Sequence, residues 1–369
     1  MSGKQPIRAL TSIRGIAAWW VVLYHFREAW PAGYSDIATR VMAQGYLAVD
    51  LFFMLSGFVI ALNYAGSFRD GVRGSLRFYA LRLARIYPLH LAMMIAFLVN
   101  PLAIHLFSSQ GQIGEGYGAD YYVLSLLLVQ NWGFTRVLDW NIPAWSISTE
   151  WFAYLCFPLL ALVLRRLPGR TASRLVLLVL LLGLLVWNGR ASGGLGGRIE
   201  ELGILRCLIE FSIGMILYSL VSTWPARPAA LSWAGLAVAV ACTATYALSE
   251  VPDYVVMPLG FIGLILALLD DRLWPVRLLH GRVLEWLGTV SYSTYLTHYF
   301  IKTWVKFLLV PAGPVTIMPM LVYLAATLVA SAVMYHAVEI PGQRRVRGWV
   351  VRRVPGPAAP RAADEPAAP

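Results

Sequence analysis

Arg14 and His25 stand eleven residues apart in Leu10–Phe26, a run that is otherwise largely apolar. On an α-helix that spacing is about three turns, so the two side chains share a face, roughly 17 Å apart along the axis. Ala18 and Val21 fall between them on that face. A guanidinium suits an anion, and an imidazole takes and releases a proton near neutral pH. Ionisable groups inside a membrane helix are costly and face a protein interior or a wet cavity. This stretch therefore reads as one wall of a cavity, with a cation near one end and a titratable base near the other.

Further groups could complete such a site. Arg82 and Arg85 lie one turn apart in RLARIYP, where they can join Arg14 as a cluster for phosphate or serve only as orientation signals at a membrane face. Glu150 sits in NIPAWSISTE, two turns into its helix, at a depth expected to match His25. A carboxylate there would orient the imidazole and raise its basicity; alternatively it is a structural contact between helices. His298 in SYSTYLTH is either a second lining group or a satisfied interhelical donor. Asp50 stands at the outer end of VDLFFMLSGF, and Ser56-Gly57 marks a point where backbones can approach closely. A Ser56 nucleophile lacks the G-x-S-x-G setting, which favours packing. His90, His105, His280 and His336 fall near helix ends or loops, and no group has metal-ligand spacing.

The elements that must position these residues are membrane helices. Of 369 residues, 59% are hydrophobic and only 13% charged, against about 25% charged in a soluble domain. The net charge of +11 follows from basic loops rather than from a nucleic-acid surface. Cys156, Cys207 and Cys242 lie in apolar runs and read as small core residues. The first segment lacks a small-residue cleavage site and is expected to be retained.

The expected fold is an all-α integral membrane protein of ten spans around a polar cavity. The spans are 10–27, 45–64, 83–105, 143–164, 174–189, 203–221, 230–248, 254–270, 287–308 and 315–338. Tyr121–Gln130 is too short to cross alone. Leaving it uncrossed puts Arg69 to Arg85, Arg165 to Arg174, Arg272 to Arg282 and Arg344 to Arg353 on one side. The positive-inside rule then places both termini in the cytoplasm. Arg190, Arg198 and Arg206 are left near the outer face, partly offset by Glu200, Glu201 and Glu210. Residues 1–340 are expected to form one transmembrane domain. Residues 341–369, basic and then Pro/Ala-rich, are expected to be a disordered cytoplasmic tail.

In order and spacing, five motifs resemble the membrane-bound acyltransferase 3 family. They are Arg14 with His25, VDLFFMLSGF at 49–58, Arg82-x-x-Arg85 with Pro88, WSISTEWFAYLCFP at 145–158, and SYSTYLTH at 291–298. The resemblance implies transfer of an acyl group, usually acetyl from acetyl-CoA, to a hydroxyl of a cell-surface or exported glycan or glycolipid, without a metal. The setting would be a bacterial-type cytoplasmic membrane. His25 resembles the family's essential histidine, Glu150 its acid, and Arg14, Arg82 and Arg85 its donor-binding arginines. Asp50, Ser56, Trp145, Ser148, Tyr295 and His298 are the expected lining residues. Trp151 stands where the family often has a second acid, and Phe300 where it often has proline. The alternatives are succinyl in place of acetyl, or a non-catalytic transporter or scaffold of a polysaccharide pathway. A transporter should show paired broken helices in two halves, and no such pairing is seen.

Overall fold

The computed structural model describes residues 7–29, 36–64, 71–107, 116–168, 170–223, 229–310 and 316–353, and all regular structure among them is helical. The first half comprises α1 (Arg8–Phe26), α2 (Asp36–Ala43), α3 (Ala48–Tyr64), α4 (Val72–Phe97), α5 (Val99–Phe107), α6 (Ala119–Leu126), α7 (Trp145–Arg166) and α8 (Arg170–Ser192). The second comprises α9 (Ile199–Val221), α10 (Ala229–Leu248), α11 (Asp253–Ala267), α12 (Trp274–Leu278), α13 (Arg282–Thr289), α14 (Ser291–Leu309), α15 (Ile317–Met334) and α16 (Ile340–Arg353). A five-residue π turn, Tyr335–Glu339, joins the last two.

Seven helical stretches among the described residues are long and apolar enough to cross a membrane. They are Asp36–Tyr64, Val72–Leu106, Ile142–Arg166, Thr171–Ser192, Ile199–Val221, Ala229–Leu248 and Ile317–Arg353. Several present apolar side chains outward, as at Val176, Val179 and Leu180 of α8 and Val240 of α10. A surface of that kind belongs against lipid, and the chain is a multi-pass membrane protein. Three other expected spans are helical but fall outside the seven. α11 has 15 residues. α1 carries Arg14 and His25, and the 287–308 stretch divides into α13 and a hydroxyl-rich α14. Two of these three, α1 and α14, face the site described below, so their polarity has an interior use. α6, at 8 residues, is too short to span.

Small residues set the helix crossings that shape the centre. Gly57 of α3 lies against the Phe211 backbone of α9, and Gly214 of α9 against the Met54 backbone of α3. A side chain at either position would collide with main chain, so the two helices meet at glycine, as the Ser56-Gly57 pair suggested. Gly15 of α1 and Gly288 of α13 make a second such crossing, and Ser12 Oγ donates to Leu279 O at 2.6 Å beside it. These contacts fix the rotation of α1 and hence the direction of Arg14.

The tail departs from expectation. Residues 341–353 are helical: α16 packs on α4, with Gly342 against Pro88 and Val350 buried. The remainder of the expected disordered segment, 354–369, lies outside the described residues.

Candidate active site

Arg14 from α1, Ser56 from α3, Arg82 and Arg85 from α4, Glu150 and Tyr154 from α7, and Tyr292 and Tyr295 from α14 line one cavity of about 150 Å³. The three arginines that the sequence singled out therefore converge. Their states differ. Arg85 forms an ion pair with the buried Glu339 of the π turn, which also accepts from Ser293 Oγ at 2.6 Å. Arg82 donates through Nη2 to Tyr64 Oη at 3.0 Å, while its buried Nε has no hydrogen-bond partner among the described residues. Arg14 has no hydrogen bond or ion pair among them, although Glu150, Arg85 and Tyr154 are close enough to act on its charge. Three guanidinium groups thus meet two carboxylates, Glu150 and Glu339. The cavity holds a cationic excess and unused donors, which fits a phosphate or another anion.

Glu150 Oε1 accepts from Ser56 Oγ at 2.5 Å, and Ser56 Oγ lies 3.3 Å from Tyr154 Oη. No hydrogen bond joins Glu150 to His25 among the described residues. Glu150 lies in the cavity with Arg14 and turns its carboxylate to Ser56, away from His25. Ser56 is thereby a hydrogen-bond donor to a carboxylate of the cavity.

His25 occupies the last turn of α1 and is partly exposed. It does not line the cavity. Its ring centre is 5.1 Å from that of the fully buried His298, with Tyr24 and Tyr299 edge-on at 5.0 and 5.4 Å. His298 is in turn 5.9 Å from Tyr295, which does line the cavity. Tyr295 Oη shares a 2.8 Å contact with Ser146 Oγ and donates to Pro143 O at 3.2 Å. Tyr295 and His298 therefore bridge the arginine cavity and His25.

Besides His298, which stands behind Tyr295, three expected lining residues lie outside the cavity lining. Asp50 is buried in a bidentate ion pair with Arg206 of α9, at 2.7 and 2.6 Å. Arg206, expected near the outer face with only partial compensation, is thus neutralised inside the fold. Trp145 packs edge-on to Phe53 at 5.9 Å and against the Arg206 guanidinium at 5.8 Å. Ser148 donates to Leu128 O at 2.9 Å and accepts from the Asn131 N–H, pinning the turn before α7. All three stabilise the walls. The sequence reading missed Tyr154, Tyr292 and Glu339. Tyr154 follows Glu150 by one turn, a spacing that could have shown it. Glu339 had no such signal, because it lies at the edge of the segment expected to be a tail. Outside the site, buried His90 pairs through Nε2 with Ser125 O at 2.8 Å, while its Nδ1 is buried with no hydrogen-bond partner among the described residues. Among the described residues, no group of His, Cys, Asp and Glu could hold a metal ion.

Residues 7–336 match the family described as an acyltransferase domain. The chain is similar to Acyltransferase MdmB of Streptomyces mycarofaciens, 28% identical over 95% of both chains. It is also similar to Peptidoglycan O-acetyltransferase OatA of Listeria monocytogenes, 23% identical over 92% of this chain and 56% of that one. The O-acetyltransferase OatA of Staphylococcus aureus is 26% identical over 57% of this chain and 35% of its own. No solved structure matches.

Proposed function

Because the chain belongs to the acyltransferase 3 family, we propose that it moves an acyl group, acetyl first among them, from acyl-CoA to a hydroxyl of a cell-surface or exported glycan or glycolipid. The observation that carries this reading is the cavity in which Arg14, Arg82 and Arg85 meet, with Arg82 Nε buried and unpartnered. CoA phosphates would rest at the mouth on Arg82 and Arg14. At about 150 Å³ the cavity is below the roughly 300–1,000 Å³ of an enclosed small-molecule site. It suits a slender pantetheine arm and an acyl end rather than a nucleotide. Glu150, held by Ser56, would keep Arg14 aligned without cancelling Arg82.

A hydroxyl is a poor nucleophile at neutral pH, and His25, partly exposed beyond Tyr295 and His298, is the base proposed to take its proton. The thioester would reach His25 past Tyr295. A glycan acceptor is supported by the peptidoglycan named for the Listeria relative. The arginine distribution supports ten spans in a cytoplasmic membrane with both termini inside, α1, α11 and α14 completing the seven apolar stretches.

Titration of the purified protein in nanodiscs with acetyl-CoA tests the donor site. Arg14→Ala and Arg82→Ala should each weaken binding about tenfold or more, the worth of one charge-assisted hydrogen bond. Arg82→Lys should recover little, because a point charge cannot reproduce a bidentate phosphate contact. Arg85→Ala is a poorer probe, since it strands Glu339. Unchanged acetyl-CoA affinity in an Arg14→Ala, Arg82→Ala double variant would remove this cavity as the donor site.

A further inference from the structure

We propose that His298 is the positioning partner of His25: its Nε2 accepts the ring N–H of His25 and fixes the tautomer that leaves the other His25 nitrogen free as the base. This rests on the reading of His25 as the proton acceptor. Four observations carry it.

His298 is fully buried, and its Nδ1 lies 3.3 Å from Thr294 O. A carbonyl only accepts, so Nδ1 carries the proton, and Nε2 is a bare lone pair. That Nε2 is buried without a hydrogen-bond partner among the described residues. A buried acceptor left unpaired carries an uncompensated cost, which a passing donor relieves.

The neighbour of that ring is His25, at 5.1 Å between centres and a 38° tilt. An imidazole nitrogen lies about 1.1 Å from its ring centre, and an N–H···N bond spans about 2.9 Å, so two bonded rings stand about 5 Å apart. The spacing is that of a bonded pair, and a rotation of the partly exposed His25 ring would bring one of its N–H groups toward Nε2. Catalytic hydrogen bonds commonly tighten only once substrate is in place.

His25 has no hydrogen bond to any described residue. Tyr24 and Tyr299 meet it edge-on and confine the ring. The titratable groups that act on it are His298, then the cations Lys302 of α14 and Arg27 at the end of α1, while Glu28 is engaged by Lys306. Glu150, the acid expected to orient His25, is engaged by Ser56. The lone pair of His298 is thus the acceptor placed to do that work.

In the reaction, one His25 nitrogen takes the proton of the acceptor hydroxyl as its oxygen attacks the acyl carbonyl. The carbon–sulfur bond breaks, and the leaving thiolate takes that proton from His25, giving ester and free CoA thiol. The other His25 nitrogen keeps its proton throughout, shared with His298 Nε2. His298 itself exchanges nothing.

Solid-state NMR of the full chain, labelled with ¹⁵N-histidine and embedded in phosphatidylethanolamine–phosphatidylglycerol bilayers at about pH 8, where an ordinary histidine is neutral, reads the tautomer directly. The His25 signals are assigned by their loss in His25→Gln. In the wild type, His25 should favour one tautomer by about tenfold, the bias given by a hydrogen bond of ordinary net strength, and His298 should carry its proton on Nδ1. His298→Leu keeps the volume but removes the acceptor, and the His25 ratio should relax to that of a free imidazole. His298→Gln returns an acceptor oxygen near the same place and should restore the bias. The His90 signal, held by Ser125 O, should stay fixed in all of them and so certifies the fold. A His25 ratio equal in wild type and His298→Leu, or a proton on His298 Nε2, overturns the proposal. Because the readout is independent of turnover, a restored tautomer bias in a protein whose His25→Ala variant still transfers acyl groups would fault the base assignment and not this pairing.

Discussion

Asp50 and Arg206 illustrate what single residues contribute here. Both are buried, and Glu210 lies one turn beyond Arg206 with neither carboxylate oxygen hydrogen-bonded among the described residues. Breaking a buried pair by removing one partner costs about 3–5 kcal/mol. The two halves are not equivalent, however. Asp50→Asn leaves Arg206 with Glu210 as a substitute partner, whereas Arg206→Met strands two acids. Arg206→Met should therefore lower the thermal midpoint in detergent, followed by size-exclusion chromatography, more than Asp50→Asn does. Equal and small shifts would mean that the pair carries little of the fold. At this scale the sequence was legible where spacing alone decides. The helical periodicity of Arg14 and His25 set them on one side of α1, and Arg82 with Arg85 one turn apart reached the same cavity as Arg14. It was illegible where rotation of one helix about another decides. Matching depth was expected to bring Glu150 to His25, and Asp50, Trp145 and Ser148 to the cavity, but Glu150 is held by Ser56 beside Arg14 and Asp50 by Arg206.

Among elements, the crossing of α3 and α9 places Ser56 and Asp50 on opposite duties, one toward the cavity and one toward Arg206. It depends on Gly57 and Gly214, each pressed against main chain of the other helix. Overpacking a tight contact costs about 1–3 kcal/mol or more. Gly57→Leu and Gly214→Val should reduce the yield of monodisperse protein by fluorescence-detected size exclusion, while Gly183→Leu, in open space on α8, should not. Similar losses at all three would point to insertion rather than packing. The Ser56-Gly57 crossing could be read in advance because a small pair inside an apolar span has few other uses. The π turn and α16 could not. Residues 341–353 are basic and poor in apolar residues, and what holds them is the fit of Gly342 against Pro88 together with the Arg85–Glu339 pair, neither of which leaves a local periodicity.

For the whole molecule, apolarity and charge give different counts of crossing helices. Apolarity marks seven among the described residues, and charge asks for ten. The difference is physical. Helices that line a polar interior carry Arg14, His25, His298 and the hydroxyls of α14, and these lower the very hydropathy by which spans are recognised. Reporter fusions at residues 112 and 170 decide the matter. Ten spans require opposite compartments, with 170 in the cytoplasm; a shared compartment means an even number of crossings between them and would contradict the scheme.

The central claim is that acyl transfer passes through His25. In cells lacking the wild-type gene and carrying His25→Ala at equal membrane level, acylation of the native glycan is measured against the wild type. Loss of a positioned base typically costs about 10²–10⁴-fold, so transfer should fall at least about a hundredfold, with acetyl-CoA still bound. A well-expressed His25→Ala protein that acylates at near the wild-type rate would contradict it.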